Sequence, residues 1–359
     1  MNEYFIYGLI ILLFALFLSS FLFKRYIVVA KKYNLYKGYN ERSSHSGQVY
    51  TGAGIILSLV LLVGNIVLGS ISIFNFDFLM MIIISSLLVS FLGFYDDFME
   101  ISAFHKYIIL LFIIIMIINS GPETDKNIII NLHGFFDIYE ISYSVGLIFT
   151  CFVYLAVINA VNLMDGIDTY LAVFCSLIFV LFGLIFANGG YTTIPLVCLL
   201  LTSGLLIFLR YNTSSKKKLF VGDAGSLFLG FWIAYFLVLF INFDDYAGYQ
   251  NILSVKIENL PVIAVAIINL PVLDTIRVML VRVSKGASPF LADKNHIHHI
   301  FINSGFTHIK TSLLLCMINF LNLFVIVAIE QFFNSFELTF IYMSINLFWF
   351  IVFQMLEKK

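Results

Sequence analysis

The stretch that decides the fold runs from Thr169 to Leu209 and reads TYLAVFCSLIFVLFGLIFANGGYTTIPLVCLLLTSGLLIFL. It holds 41 residues without one charged side chain. A bilayer core of about 30 Å takes roughly 20 helical residues to cross, since each advances the helix by about 1.5 Å. The stretch is twice that length, and Asn188-Gly189-Gly190 places turn residues at its middle. It reads as two membrane helices joined by a tight turn.

Working outward, runs of the same kind recur at Tyr4–Phe23, Thr51–Phe76, Phe78–Tyr95, Tyr107–Pro122, Ile141–Met164, Ala224–Phe243, Asn259–Leu273, Thr311–Ile329 and Leu338–Leu356. About eleven spans are therefore expected, in an all-α polytopic membrane protein forming a single transmembrane domain over residues 1–359. Composition leaves no alternative class. Of 359 residues 61% are hydrophobic and 11% charged, with a mean hydropathy of +1.00. Soluble chains carry about 25% charged residues, so this one cannot furnish a water-facing surface. A formal net charge of -1 offers no basic excess for nucleic acid. Cys151, Cys175, Cys198 and Cys316 fall in apolar stretches without metal-like spacing and read as small core residues.

Lys24 and Arg25 follow the first apolar run, which sets the N-terminus outside. Threading eleven spans from there leaves only Lys126 and Lys256 of the 20 basic residues outside. The C-terminus is then cytosolic, and function is expected on cytosolic loops near 24–50, 95–106, 164–169, 210–224 and 284–310. A membrane-embedded chain whose functional face is cytosolic is the expected arrangement.

Four groups on that face can carry chemistry. Asp96-Asp97 ends the third span, where paired negative charges need a metal, a base or a proton to offset them; a solvated helix end is the plainer reading. Asn159, Asn162 and Asp165 share one helix face ahead of Gly166 and Asp168, an oxygen-only set suited to Mg2+; amides bonding between helices would account for the asparagines alone. Phe220-Val-Gly-Asp223-Ala-Gly-Ser226 precedes an apolar helix. Asp223 there is either a helix cap or a ligand, since glycines admit close approach and a helix N-terminus favours phosphate. His296-Ile-His298-His299, with Arg277, Arg282 and Lys285 upstream, can donate to phosphate or bind a transition metal through imidazole, phosphate being favoured for want of clear partner ligands; a solvated loop is its plainer reading. Lys216-Lys217-Lys218 reads as an anchor to anionic lipid, and Lys106 has the same plain reading. Together these parts can handle a diphosphate beside the membrane. A transporter is the rival class, but it would place polar residues near the bilayer midplane rather than at one end.

In order and spacing, Tyr95-Asp96-Asp97, Asn159-Ala-Val-Asn162-Leu-Met-Asp165-Gly166-Ile-Asp168, Phe220-Val-Gly-Asp223-Ala-Gly-Ser226 and His296-Ile-His298-His299 resemble the polyprenyl-phosphate N-acetylhexosamine-1-phosphate transferases, glycosyltransferase family 4. The resemblance implies transfer of a sugar 1-phosphate from a UDP-N-acetylhexosamine to undecaprenyl phosphate with release of UMP, initiating a cell-wall, capsule or O-antigen polymer. It implies Mg2+, or Mn2+ in its place, held by Asp223 and Asn162. Asp96 and Asp97 would position or deprotonate the lipid phosphate, with Lys106 facing the phosphates. Phe220 would stack on uracil, with Asp168 and the backbone near Gly166 reading its edge. Arg282 and the histidines would contact diphosphate or sugar. The Asp-Lys-Asn-His-Ile-His-His form resembles the N-acetylhexosamine branch rather than the muramoyl-pentapeptide one. A homodimer is admitted. Two segments depart from the family pattern: the first loop keeps Arg42 and His45 but reads Tyr50-Thr51-Gly52-Ala53-Gly54, and Asn212 is followed by Thr213-Ser-Ser-Lys-Lys-Lys.

Overall fold

The computed structural model describes residues 2–37, 49–70, 77–120, 127–214, 217–242, 255–288 and 295–357. Each of the eleven apolar segments is helical. In chain order they are α1 (Asn2–Lys32), α2 (Ile55–Ser70), α3 (Asp77–Met99), α4 (Ala103–Ile118), α5 (Tyr143–Asn162), α6 (Tyr170–Asn188), α7 (Thr193–Asn212), α8 (Gly222–Ile241), the pair α9 (Leu260–Ile267) and α10 (Asn269–Ser284), α12 (His308–Ile329) and α13 (Ser335–Glu357). A short α11 (Ile297–Asn303) lies in the loop before α12. Among the described residues eight helices are long and apolar enough to cross a membrane, and the α9–α10 pair makes a ninth. The remaining two, α2 and α4, have 16 residues each. At about 24 Å they fall short of a full hydrocarbon core. The chain is a multi-pass membrane protein whose four cysteines are free and buried.

Three features depart from the sequence reading. The first helix does not stop at Lys24 and Arg25 but runs on to Lys32, and the chain turns at Asn34 with φ of 53°. Those charges end the apolar run, not the helix. Second, two short hairpins accompany the helices of the expected all-α fold. Strands β1 (Tyr36–Lys37) and β2 (Val49–Tyr50) pair antiparallel, as do β3 (Asn131–Phe135) and β4 (Ile138–Glu140). The second hairpin turns through Phe136 and Asp137 at φ of 53° and 62°, the doubly positive turn whose twist suits a hairpin. Third, the span over Asn259–Leu273 is broken, with α9 and α10 bent by 67°.

The sequence holds the reason for that bend: Asn-Leu-Pro occurs at 259–261 and again at 269–271. Pro271 has no N–H for the carbonyl of Ile267, so the helix cannot continue there. Asn319 of α12 repairs the gap, its amide donating to Ile267 O at 2.9 Å and its Oδ1 accepting from Leu270 N at 2.9 Å. Backbone groups left unmade in hydrocarbon would each cost several kcal/mol. A buried asparagine offsets both.

At the centre stands α8, in which only Asp223 and Leu239 are not fully buried. A helix apolar all round belongs inside a bundle. Helices α3 and α5 cross it backbone to backbone: a Cβ on Gly93 would lie 2.2 Å from Asp223 O, and one on Gly230 would lie 2.8 Å from Ile158 Cα. These crossings carry Asp96, Asp97 and Asn162 to the start of α8.

Candidate active site

The first N–H groups of any helix lack partners, and at the N-terminus of α8 they are met from another chain segment. Asp223 does not cap its own helix. Asp97 does so instead, accepting from Asp223 N at 3.0 Å and Ala224 N at 3.2 Å. Gly222 makes this reachable, with φ of 68° and no Cβ where Asp97 Oδ2 would stand 2.3 Å away. Thr51 donates to Asp97 Oδ1 at 3.4 Å. Its segment runs parallel to 219–221: Phe220 N donates to Tyr50 O at 2.8 Å, Ala53 N to Phe220 O at 3.2 Å and Gly54 N to Val221 O at 2.9 Å. The Tyr50–Gly54 departure from the family pattern is thus a brace for the Asp223 motif.

Relieved of capping, the Asp223 side chain faces Lys106, whose Nζ is 2.7 Å from Asp223 Oδ2 and also pairs with Asp96 Oδ2. Asp96 is steadied by Ile101 N, which donates to its Oδ1 at 2.6 Å. Lys106 is therefore not a plain lipid anchor but a cation between two carboxylates.

Behind Lys106 opens a cavity of about 380 Å³. It brings together Lys106, Asn159, Asn162, Asp165, Gly166, Arg282, His296, His298 and His299. The one-face reading of α5 explains three of these. Beyond Asn162 the turn tightens, Asp165 N donating to Asn162 O at 3.2 Å, which keeps Asp165 on the same side. Asn159 Oδ1 accepts from Tyr107 Oη at 2.8 Å, and Asn162 Oδ1 from Ser226 Oγ at 2.8 Å. Ser226 lies one helical turn after Asp223, so Asn162 and Asp223 border the same patch. Arg282, on α10 beyond the bend, joins the lining.

Gly166 serves the histidines. A Cβ there would lie 2.1 Å from His298 Nε2. That nitrogen is buried and has no hydrogen-bond partner among the described residues. Burial first, then the charge of neighbouring His299, pushes the His298 imidazole down to about 3, so it is neutral at ordinary pH. The His296 ring lies parallel to it, with centroids 5.7 Å apart.

Asp168 and Phe220 do not line the cavity. Asp168 Oδ2 pairs with Lys218 Nζ at 2.6 Å and His308 Nδ1 at 3.2 Å, and Lys218 sits 5.7 Å above the Phe220 ring. Lys218 is thus a site neighbour rather than a membrane anchor. Asn212 joins this cluster to the rest: Thr169 N donates to its Oδ1 at 2.7 Å, and its amide donates to Leu219 O at 2.9 Å. Sequence reasoning misses Asp274, which accepts from His296 Nδ1 at 2.9 Å and Ile297 N at 3.0 Å. Its one signal in the sequence is a lone carboxylate three residues before Arg277. Arg42, His45, Lys126, Asp293, Lys294 and Lys216 lie outside the described residues.

The oxygen donors fit a hard cation. Among the described residues no three His, Cys, Asp or Glu side chains converge as a closed metal cage. What they offer is carboxylate and amide oxygen beside an ammonium already lodged between Asp96 and Asp223, an arrangement that phosphate oxygens of a substrate would complete.

Residues 79–241 match the family model described as Glycosyl transferase family 4. The chain is 34% identical over 165 residues to the undecaprenyl-phosphate alpha-N-acetylglucosaminyl 1-phosphate transferase of Salmonella typhi, covering 45% of this chain and 42% of that one. The protein of the same name from Escherichia coli K12 is 33% identical over 165 residues, again 45% and 42%. A probable undecaprenyl-phosphate N-acetylglucosaminyl 1-phosphate transferase of Bacillus subtilis is 28% identical over 240 residues, 67% of this chain and 63% of that one. The matches therefore span less than two thirds of these relatives' length. The matched region contains α3 to α8, and with them Asp96, Asp97, Lys106, Asn159, Asn162, Asp165, Asp168, Phe220 and Asp223. Residues 79–241, with the motifs they carry, are thus similar to glycosyl transferase family 4.

Proposed function

We propose that this protein transfers a sugar 1-phosphate from a UDP-N-acetylhexosamine to undecaprenyl phosphate, releasing UMP and leaving a lipid diphosphate-linked sugar. One observation carries the reading. A single cavity at one end of a membrane bundle joins Lys106, Arg282 and the histidines to Asn159, Asn162 and Asp165, with Asp96 and Asp223 bound to Lys106 at its edge. Phosphoryl transfer asks of a protein chiefly charge neutralisation and positioning. In this reaction an oxygen of the lipid phosphate bonds to the sugar-bearing phosphorus. The bond from that phosphorus to the bridging oxygen breaks, and its electron pair leaves with UMP.

Lys106 and Arg282 neutralise phosphate charge, while Asp96 holds the Lys106 ammonium in place. Asp223 and Asn162 would hold Mg2+, or Mn2+ in its place, which when bound supplies further charge neutralisation at the diphosphate. The Asp168, Lys218 and Phe220 group beside the cavity suits a nucleobase, with an aromatic face under a cation and a carboxylate at its edge. Asp97 is kept from the acceptor phosphate by its two helix N–H bonds, so the general-base role falls to Asp96 or Asp223. The location in this reading is a bacterial cytoplasmic membrane with this end of the bundle cytosolic, which the distribution of the basic residues supports. A homodimer is compatible with the exposed apolar faces of α1 and α13.

The test is UMP release by detergent-purified full chain given undecaprenyl phosphate, Mg2+ and a panel of UDP-sugars. Release with a UDP-N-acetylhexosamine, abolished by a chelator, is the expected result. No release with any UDP-sugar, together with an Asp223→Ala strain that behaves as wild type, would overturn it.

A further inference from the structure

Between the histidine loop and the body of the bundle runs a chain of charged groups that the function above does not use. Arg277 of α10 is fully buried. Its guanidinium donates to Glu357 Oε2 at 2.8 Å, to Asp274 Oδ1 at 3.3 Å and to the carbonyl of Asn295. Asp274 in turn takes Ile297 N on Oδ1 at 3.0 Å and His296 Nδ1 on Oδ2 at 2.9 Å. Residues 295, 296 and 297 are each tied by one bond to this chain, which ends on the last turn of α13.

We propose that Asp274 is a positioning residue of the site, one that fixes the His296 ring so that Nε2 faces the cavity; the inference rests on reading that cavity as the transferase site. An ionised carboxylate can only accept, so the proton of the shared bond sits on His296 Nδ1. The ring borders the cavity, and Nε2 is the nitrogen left for it. A link between α10 and the loop could be made by apolar packing with a smaller desolvation penalty than buried charges carry. What the carboxylate adds is a defined tautomer and ring orientation, the usual service of an acid beside a working imidazole. The groups around His296 are Asp274, Arg277 and Arg282 of α10, His298 and His299 of α11, and Lys106 and Asp165 across the cavity.

Two readouts on the detergent-purified full chain test this. The first is independent of turnover: diethyl pyrocarbonate at pH 8 acylates an unprotonated Nε2, and mass spectrometry locates the product. Asp274→Asn offers an N–H donor to Nδ1 and moves the ring proton to Nε2. His296 modification is expected to slow about tenfold or more, with Asp274→Glu restoring part of it. An unchanged rate overturns the proposal. The second is steady-state UMP release. Asp274→Asn should lower kcat about 10- to 100-fold with KM for the UDP-sugar within about twofold, and should cost nothing further in a His296→Gln background. A raised KM at unchanged kcat, or equal losses in both backgrounds, overturns it. If wild type releases no UMP, the proposed function fails while the acylation rates still decide this inference. Should Asp274→Asn fail to fold, Glu357→Gln carries both measurements: about a threefold fall in kcat confined to the His296 background supports the chain of contacts, and no fall, or a fall in both, overturns it.

Discussion

The two ends of the bundle both bury charge, yet among the described residues it is the motif end where charged groups gather around a polar cavity, while the cavity toward the other end is lined by apolar side chains. At the end away from the motifs, Glu330 is buried where α12 gives way to a single helical turn. It accepts from the Asn259 amide at 2.9 Å and from Lys256 N at 3.1 Å, while Lys256 Nζ donates to Phe333 O at 3.0 Å. His133 Nε2 reaches Ile241 O at 2.8 Å and Asn242 donates to Ile128 O at 2.8 Å, seating the β3–β4 hairpin under α8. Every one of these contacts joins one backbone segment to another. At the motif end the polar residues divide. Asp97 and Asn212 do the same joining work, whereas Lys106, Arg282 and the histidines line open space, with Asp223 bound to Lys106 at its edge. Buried charge by itself is therefore a poor mark of function in this protein; charge arranged around a cavity is a good one.

Substitutions can break that contrast. The largest effect belongs to Asp223→Asn, which should lower UMP release about 10³-fold, the scale of losing a group that stabilises transition-state charge, while the thermal midpoint in detergent stays within about 2 °C. A variant with near-normal release would move Asp223 into the joining class. Next is Asp97→Ala, which removes both acceptors from the start of α8. Hydrogen bonds to a charged group are worth about 1.5–3 kcal/mol each, so a loss of about 3 kcal/mol in denaturant unfolding is expected, and Asp97→Asn should lose about half of it. An Asp97→Ala chain of wild-type stability but no activity would make Asp97 a reacting group instead. At the far end, Glu330→Gln should cost about 1–2 kcal/mol of stability and leave kcat/KM within about twofold.

The smallest effect is a pH dependence. Folding holds His298 neutral, with its proton affinity near 3 against an ordinary 6.5. As pH falls below 6.5 the unfolded chain takes up a proton that the folded chain refuses. Stability is therefore full above about 6.5 and drains as pH falls towards 3, by about 1 kcal/mol between pH 6.5 and 5.5. Melting curves of wild type and His298→Gln over that interval should differ by this slope. Parallel curves would mean that His298 is not desolvated.

Much of the site is legible in the sequence, for a local reason. Asn159, Asn162 and Asp165 share a face because a helix repeats every 3.6 residues, and that face does line the cavity. The Thr169–Leu209 stretch does split at Asn188-Gly189-Gly190 into α6 and α7. The bend between α9 and α10 is present in the repeated Asn-Leu-Pro but hidden by an apolar run long enough to pass as one span. The pairing of Asp274 is not legible there, since its partner His296 is 22 positions away.

Sequence by itself determined the membrane class, the helical segments and the set of polar residues at one end, because these follow from hydrocarbon thickness, helical period and charge placement. Only the tertiary structure decided what each polar residue does. Asp96 and Asp97 are neighbours in sequence, but successive residues on a helix point about 100° apart. One meets Lys106 at the edge of the cavity, and the other turns inward to close the N-terminus of α8.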